Sequence, residues 1–188
     1  SADEDSLIVP RMQWTIENSA LLKNDLMTLD IVANNLMSRP IYFAVSVAPD
    51  AYVGLEKYFQ LEGLSYRVVP KENTSGSPYS APARTDVMYE NMMKKFRFGG
   101  IESNPDIYLD ENNLRMTVNL KGNFGRLAEA LLAKGEKQKA AEVIDHSLKN
   151  LPSDRVPHSV FDFQYPGIYY EAGQKDKGRK LMEEMLEK

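Results

Sequence analysis

The chain has no cysteine among its 188 residues. That excludes disulfides, thiolate zinc sites and cysteine nucleophiles together. It has two histidines, His146 and His158, and neither has a second histidine or an acidic residue at the H-E-x-x-H spacing of a helical metal site. Both read as ordinary helix-surface and loop residues, and no metal or other cofactor is expected. There is no excess of positive charge: 23 Lys plus Arg stand against 27 Asp plus Glu, a net charge of -4. A phosphate backbone has no basic stripe to meet, so nucleic acid is not an expected partner. No run of about 18 or more apolar residues occurs, so the chain is not expected to span a membrane itself, and no signal peptide is visible. The opening Ser1-Ala2-Asp3-Glu4-Asp5 is acidic and reads as the middle of a longer protein.

Motifs for chemistry are missing as well. Ser75-Gly76-Ser77 lacks the G-x-S-x-G elbow and lies in a segment whose composition reads as a loop. The glycines that follow the apparent strands do not make G-x-G-x-x-G, so no dinucleotide is expected. No catalytic residue is assigned, and the chain is not expected to be an enzyme. Asp5-Ser6-Leu7 resembles the short Asp-Ser/Thr-apolar acceptor of some bacterial O-glycosylation, a three-residue match that chance explains.

What is present begins with alternating apolar segments. Ser6–Trp14 reads as an edge strand, since Pro10 has no donor. Leu22, Leu26, Leu29, Ala33 and Leu36 recur at helical spacing after a cap at Asn18 or Ser19, and Arg39-Pro40 ends that helix. Ile41–Val47 is nearly continuous in apolar residues, as strands buried on both faces are. Asp50 to Gly63 reads as a helix with Leu55, Tyr58 and Phe59 inward, and Leu64–Val69 as another strand. Strand and helix in alternation predict a small three-stranded parallel Rossmann-like layer, hence an α/β fold over residues 1–100 with a mobile loop at 71–84. Residues 101–188 are expected to be all-α.

Within that second part Phe124, Leu127, Ala128, Leu131, Gly135, Ala140, Ile144, Ser147 and Pro152 fall at the spacing of one tetratricopeptide repeat, over residues 121–152. Short side chains at those positions let two antiparallel helices approach closely. A second, degenerate repeat is expected over 158–187. Its turn glycine, Gly173, lies 38 residues after Gly135, against a usual repeat of about 34. Pro166 stands where Ala128 stood, and Gly178 where Ala140 stood.

Two groups of residues are candidates for binding. Tyr108, Asp110, Glu111, Asn112 and Arg115, with Arg97 near in sequence, combine phenol, carboxylate, amide and guanidinium groups that can grip sugar hydroxyls or a peptide backbone. The competing role for Asp110 to Asn113 is helix capping. Tyr165 and Tyr169 could line a groove against the first helical pair, or simply be core.

Several blocks together carry a family resemblance. They are Arg39-Pro40-Ile41-Tyr42-Phe43-Ala44, Gly54 to Leu64, Tyr66-Arg67-Val68-Val69-Pro70, Asp86-Val87-Met88-Tyr89, Phe96-Arg97-Phe98-Gly99-Gly100 and Tyr108-Leu109-Asp110-Glu111-Asn112. From Leu7 onward the chain resembles the soluble C-terminal region of a family of large bacterial polytopic membrane proteins that is itself similar to protein O-mannosyltransferases of the glycosyltransferase-C type. The resemblance implies a tail on the periplasmic side of a membrane-anchored parent. Its catalytic carboxylate would lie among membrane helices outside this sequence. The implied role is accessory docking of an acceptor polypeptide or of the parent's membrane region. A carbohydrate-binding module that takes glycan and a stand-alone tetratricopeptide-like interaction domain are the alternatives.

Overall fold

A computed structural model describes residues 8–17, 20–73 and 77–187. The expected acceptor triplet Asp5-Ser6-Leu7, the caps Asn18 and Ser19, and Ser75-Gly76 lie outside the described residues. The chain divides into two compact units, residues 1–84 and 85–188.

The first unit opens with helix α1 (Lys23–Asn35). The Leu22 amide donates to Asp25 Oδ2 at 2.8 Å, so the nearly buried Asp25 carboxylate closes the first turn. Strands β1 (Tyr42–Ala44), β2 (Phe59–Leu61) and β3 (Ser65–Val68) form one sheet in the order β1-β3-β2. Both pairings are antiparallel, with Phe43 opposite Tyr66 and Leu61 opposite Tyr66 on its other side. Phe59 stacks on Tyr66 at 5.2 Å between ring centroids, and Tyr52 meets Phe59 edge-on at 5.0 Å. These rings, with Leu55, Tyr58 and Val68, are the core of the unit.

The sheet corrects the parallel Rossmann-like layer expected from the alternation of apolar segments. A parallel pair needs a crossover of a dozen residues or more, usually a helix. The segment from Asp50 to Gly63 does not supply one. Its helical start is a single 3-10 turn at Pro49–Tyr52, halted where Val53 and Gly54 take left-handed φ values of 49° and 80°. After a second short turn at Glu56–Tyr58 the chain extends as β2. Gly63, at φ 112°, then reverses it tightly, and Glu62 N–H donates to Ser65 O at 2.9 Å. A two-residue turn can only join antiparallel neighbours. Of the expected Ser6–Trp14 strand, the described residues from Ile8 onward make an isolated bridge between Ile8 and Lys71, and Trp14 packs edge-on against Tyr58.

The second unit is helical. Helix α2 (Thr85–Glu90) widens into a π-turn over Asn91–Lys95. Helices α3 (Glu111–Ala133) and α4 (Lys137–Asn150) form one hairpin, and α5 (Tyr165–Glu171) and α6 (Lys175–Glu187) a second. Both close in the same way. Glu136 N–H reaches back to Leu131 O at 2.9 Å and Gly135 N–H to Leu132 O at 2.8 Å. Gln174 N–H reaches Tyr169 O at 2.8 Å and Gly173 N–H reaches Tyr170 O at 3.1 Å. Each is a Schellman turn whose C′ glycine is left-handed, with φ 78° at Gly135 and 85° at Gly173. Phe124, Leu127, Ala128 and Leu131 of α3 are buried, as are Ala140, Ala141, Val143, Ile144 and Ser147 of α4.

Candidate functional site

The polar segment at the start of α3 is occupied by the helix itself. Asp110 is the N-cap, and its Oδ1 accepts from Asn113 N–H at 2.7 Å. Glu111 sits in the first turn, where an acidic side chain suits the helix dipole. Asn112 accepts from Arg115 at 3.1 Å. Arg97 donates to the Lys94 and Phe96 carbonyls of its own turn. Tyr108 is 86% exposed. Asp110, Glu111, Asn112 and Arg115 cap and decorate the start of α3, while Arg97 bonds within its own turn.

Tyr165 and Tyr169 are buried, and both do structural work. The Tyr165 hydroxyl donates to Lys121 O at 2.7 Å and pairs with Ser147 Oγ at 2.8 Å, joining α3, α4 and α5. Burial raises its pKa well above the ordinary phenol value. Tyr169 OH donates to Asp145 Oδ1 at 2.7 Å, and the same carboxylate takes Lys177 Nζ at 2.6 Å.

The linker between the hairpins is held by a buried charge cluster. Lys121 Nζ donates to Val156 O at 2.6 Å and lies 3.3 Å from Asp162 Oδ2. Asp162 also accepts from Ser159 N–H at 2.7 Å and bonds His158 Nδ1 at 2.8 Å. Burial pushes the Asp162 carboxyl up, but the bonds from His158 and Ser159, with the Lys121 charge, outweigh it and hold its pKa below the usual value. His146 lies against Phe98 and Phe124, and burial depresses its pKa.

One open concave surface of this unit lies between α3 and α5. It is a groove of about 460 Å³ lined by Glu129, Leu132, Ala133, Gln164, Gly167, Ile168 and Glu171. On each helix the lining residues recur at intervals of three and four, one stripe per helix. Gly125, one turn before Glu129, carries no side chain, and the Gln164 amide lies where its Cβ would be. Gly167 offers bare backbone: an added Cβ would meet nothing within 4 Å. Leu132, Ala133 and Ile168 give an apolar floor. Glu129 and Glu171 have no hydrogen bond or ion pair among the described residues. Burial pushes the Glu129 carboxyl above its usual range; the Arg126 charge works against that and the Glu171 carboxylate adds to it.

The lining offers two carboxylates, one amide and an apolar floor. Among the described residues no group of three or more His, Asp or Glu side chains could hold a metal ion. Also among them, no helix is long and apolar enough to cross a membrane. A stripe of the type Gln164, Gly167, Ile168, Glu171 is visible in sequence. The matching stripe on α3 is masked there by the buried residues interleaved with it.

Residues 1–92 match the family model of TMEM260-associated domain 2. The match is consistent with a domain of a TMEM260-like membrane protein family. No curated protein matches the chain, and no solved structure does. The TMEM260-associated match covers α1, the sheet and α2, and ends before the helical hairpins.

A second feature falls within the TMEM260-associated part. Helix α1 buries only Asp25 and Val32, while Leu26, Met27 and Ile31 on it, and Leu22 at its cap, are each more than half exposed. The expected inner face of Leu22, Leu26, Leu29, Ala33 and Leu36 is therefore largely an outer one.

Proposed function

We propose that this chain is a non-catalytic docking domain of a TMEM260-like membrane protein, in which the helical unit holds an extended polypeptide segment. The observation that carries the reading is the α3–α5 groove, with its apolar floor and the bare backbone of Gly167 open to solvent. An extended peptide needs close approach to a helix surface, pockets for alternate side chains and a few polar groups to fix its register. The groove offers close approach at Gly167 and polar groups at Glu129, Gln164 and Glu171. The tetratricopeptide-like spacing of the α3–α4 hairpin supports the same reading, because repeats of that kind present surfaces to partners. The parent's glycosyltransferase-C character and the periplasmic placement of this tail belong to the same proposal. In it the held segment comes from an acceptor polypeptide, and the transfer chemistry lies outside this chain.

Panning a random-peptide display library against the 188-residue chain tests the reading. Enriched peptides should lose binding to Gly167→Met, which fills the groove from an unstrained helical position. Failure to enrich any peptide, or binding that Gly167→Met leaves intact, would refute it. The purified chain should also transfer no sugar from a lipid-linked donor and hydrolyse no glycoside.

A further inference from the structure

We infer that the α3–α5 groove accepts a cationic side chain, so that its occupant is an extended polypeptide segment carrying lysine or arginine between apolar residues. The inference rests on the docking reading and names the partner's chemistry. The lining residues other than Glu129 and Glu171 are neutral: Leu132, Ala133, Gln164, Gly167 and Ile168. Both charges facing the groove are therefore of one sign. Glu129 and Glu171 line the same groove, and their like charges work against each other. Arg126, one turn before Glu129, offsets that repulsion but does not line the groove. A cation placed between the two carboxylates relieves the repulsion and gains from both.

The floor fits the rest of such a side chain. Lysine and arginine lay their methylene stems along apolar surface and keep the charged head at its edge. Leu132, Ala133 and Ile168 supply that surface, and the carboxylates stand with it in the same lining. Arginine has the further advantage that its planar fork donates to carboxylates in pairs. The Gln164 amide, seated over Gly125 and donating to Phe161 O at 3.0 Å, has its oxygen left to receive a backbone N–H of the occupant. An acidic segment would bring a third like charge to the same place and is disfavoured.

Fluorescein-labelled peptides of the sequence Ser-Gly-Leu-Xaa-Leu-Gly-Ser, with arginine, glutamine or glutamate at the variable position, test this by anisotropy with the 188-residue chain. Peptide concentrations should reach the millimolar range. The arginine peptide should bind about five- to tenfold more tightly than the glutamate peptide at low salt, as two partly exposed ion pairs allow. The preference should shrink as salt is raised. The double variant E129Q/E171Q should erase the preference of the arginine peptide over the glutamate peptide. Equal binding of arginine and glutamate peptides, or a preference that survives E129Q/E171Q, overturns the cationic inference while docking stands. Binding by none of the three, or binding that Gly167→Met does not abolish, overturns the docking reading and this inference with it.

Discussion

Lys121 and Asp162, 41 residues apart in sequence, meet at 3.3 Å with both side chains fully buried. Burying a charge is costly unless it is paired and bonded, and here both conditions hold. The ammonium also donates to the Val156 carbonyl, and the carboxylate accepts from the Ser159 amide. The pair fastens the linker between the two helical hairpins to α3. It fixes where α5 begins, and so where the far wall of the groove stands. Asp162→Ala should therefore destabilise the helical unit by about 3–5 kcal/mol, the range for removing one partner of a buried pair. Urea unfolding followed by helical circular dichroism checks it. A loss below about 1 kcal/mol would mean that Lys121 finds another partner.

The same carboxylate gives the helical unit an acid limit. The folded pKa of Asp162 lies below its usual value, so its ionised form binds into the fold better than its protonated form. Its contribution is fully present above the ordinary aspartate pKa. It is lost as pH falls through the depressed folded pKa. Midpoint denaturant concentration measured from pH 7 downward should fall in the acid range, and Asp162→Asn should flatten that part of the profile. An unchanged profile in the variant would assign the acid transition to other groups.

Two glycines of the second hairpin should respond in opposite directions to alanine. An added Cβ at Gly178 would lie 2.8 Å from the Tyr170 ring and 2.9 Å from the Pro166 carbonyl oxygen, which is backbone and cannot swing away. Gly178→Ala should cost about 1–3 kcal/mol as an overpacked site. Gly167→Ala meets nothing within 4 Å, and its effect is on the unfolded chain and on helix propensity. It should stabilise by about 0.4–1 kcal/mol. Thermal melts of the two variants beside the parent chain decide both.

On α1 the exposed apolar side chains should be replaceable. Leu26→Gln and Ile31→Gln should change stability by about 0.5 kcal/mol or less, since neither side chain is buried. Val32→Ala, at a buried position one residue from Ile31, should cost about 1–3 kcal/mol. Similar losses at all three positions would mean that the outer face of α1 packs against the rest of the chain.

The helical hairpins were legible because their signals are local. Gly135 and Gly173 end helices through left-handed turns, and the short side chains of Ala128, Ala140 and Ser147 mark the closest approach. The sheet was not legible from apolar runs, because strand direction is decided between them. Val53 and Gly54 stop the expected crossover helix, and Gly63 reverses the chain within two residues. A glycine between Leu61-Glu62 and Leu64-Ser65-Tyr66 carried that information, and the apolar periodicity of Leu55, Tyr58 and Phe59 obscured it. At the candidate site Tyr165 and Tyr169, weighed between groove lining and core, are buried hydrogen-bonding residues. The lining falls instead to Glu129, Gly167 and Glu171, whose meaning depends on α3 and α5 lying side by side.

The docking claim is tested most directly by locating a bound peptide on the folded chain. Amide shifts of the 15N-labelled 188-residue chain, followed during titration with the arginine peptide, should move together at Ala133, Gly167, Ile168 and Glu171. Residues of the sheet should stay still. Shifts confined to the sheet or to α1, or no shift anywhere at millimolar peptide, would contradict the account.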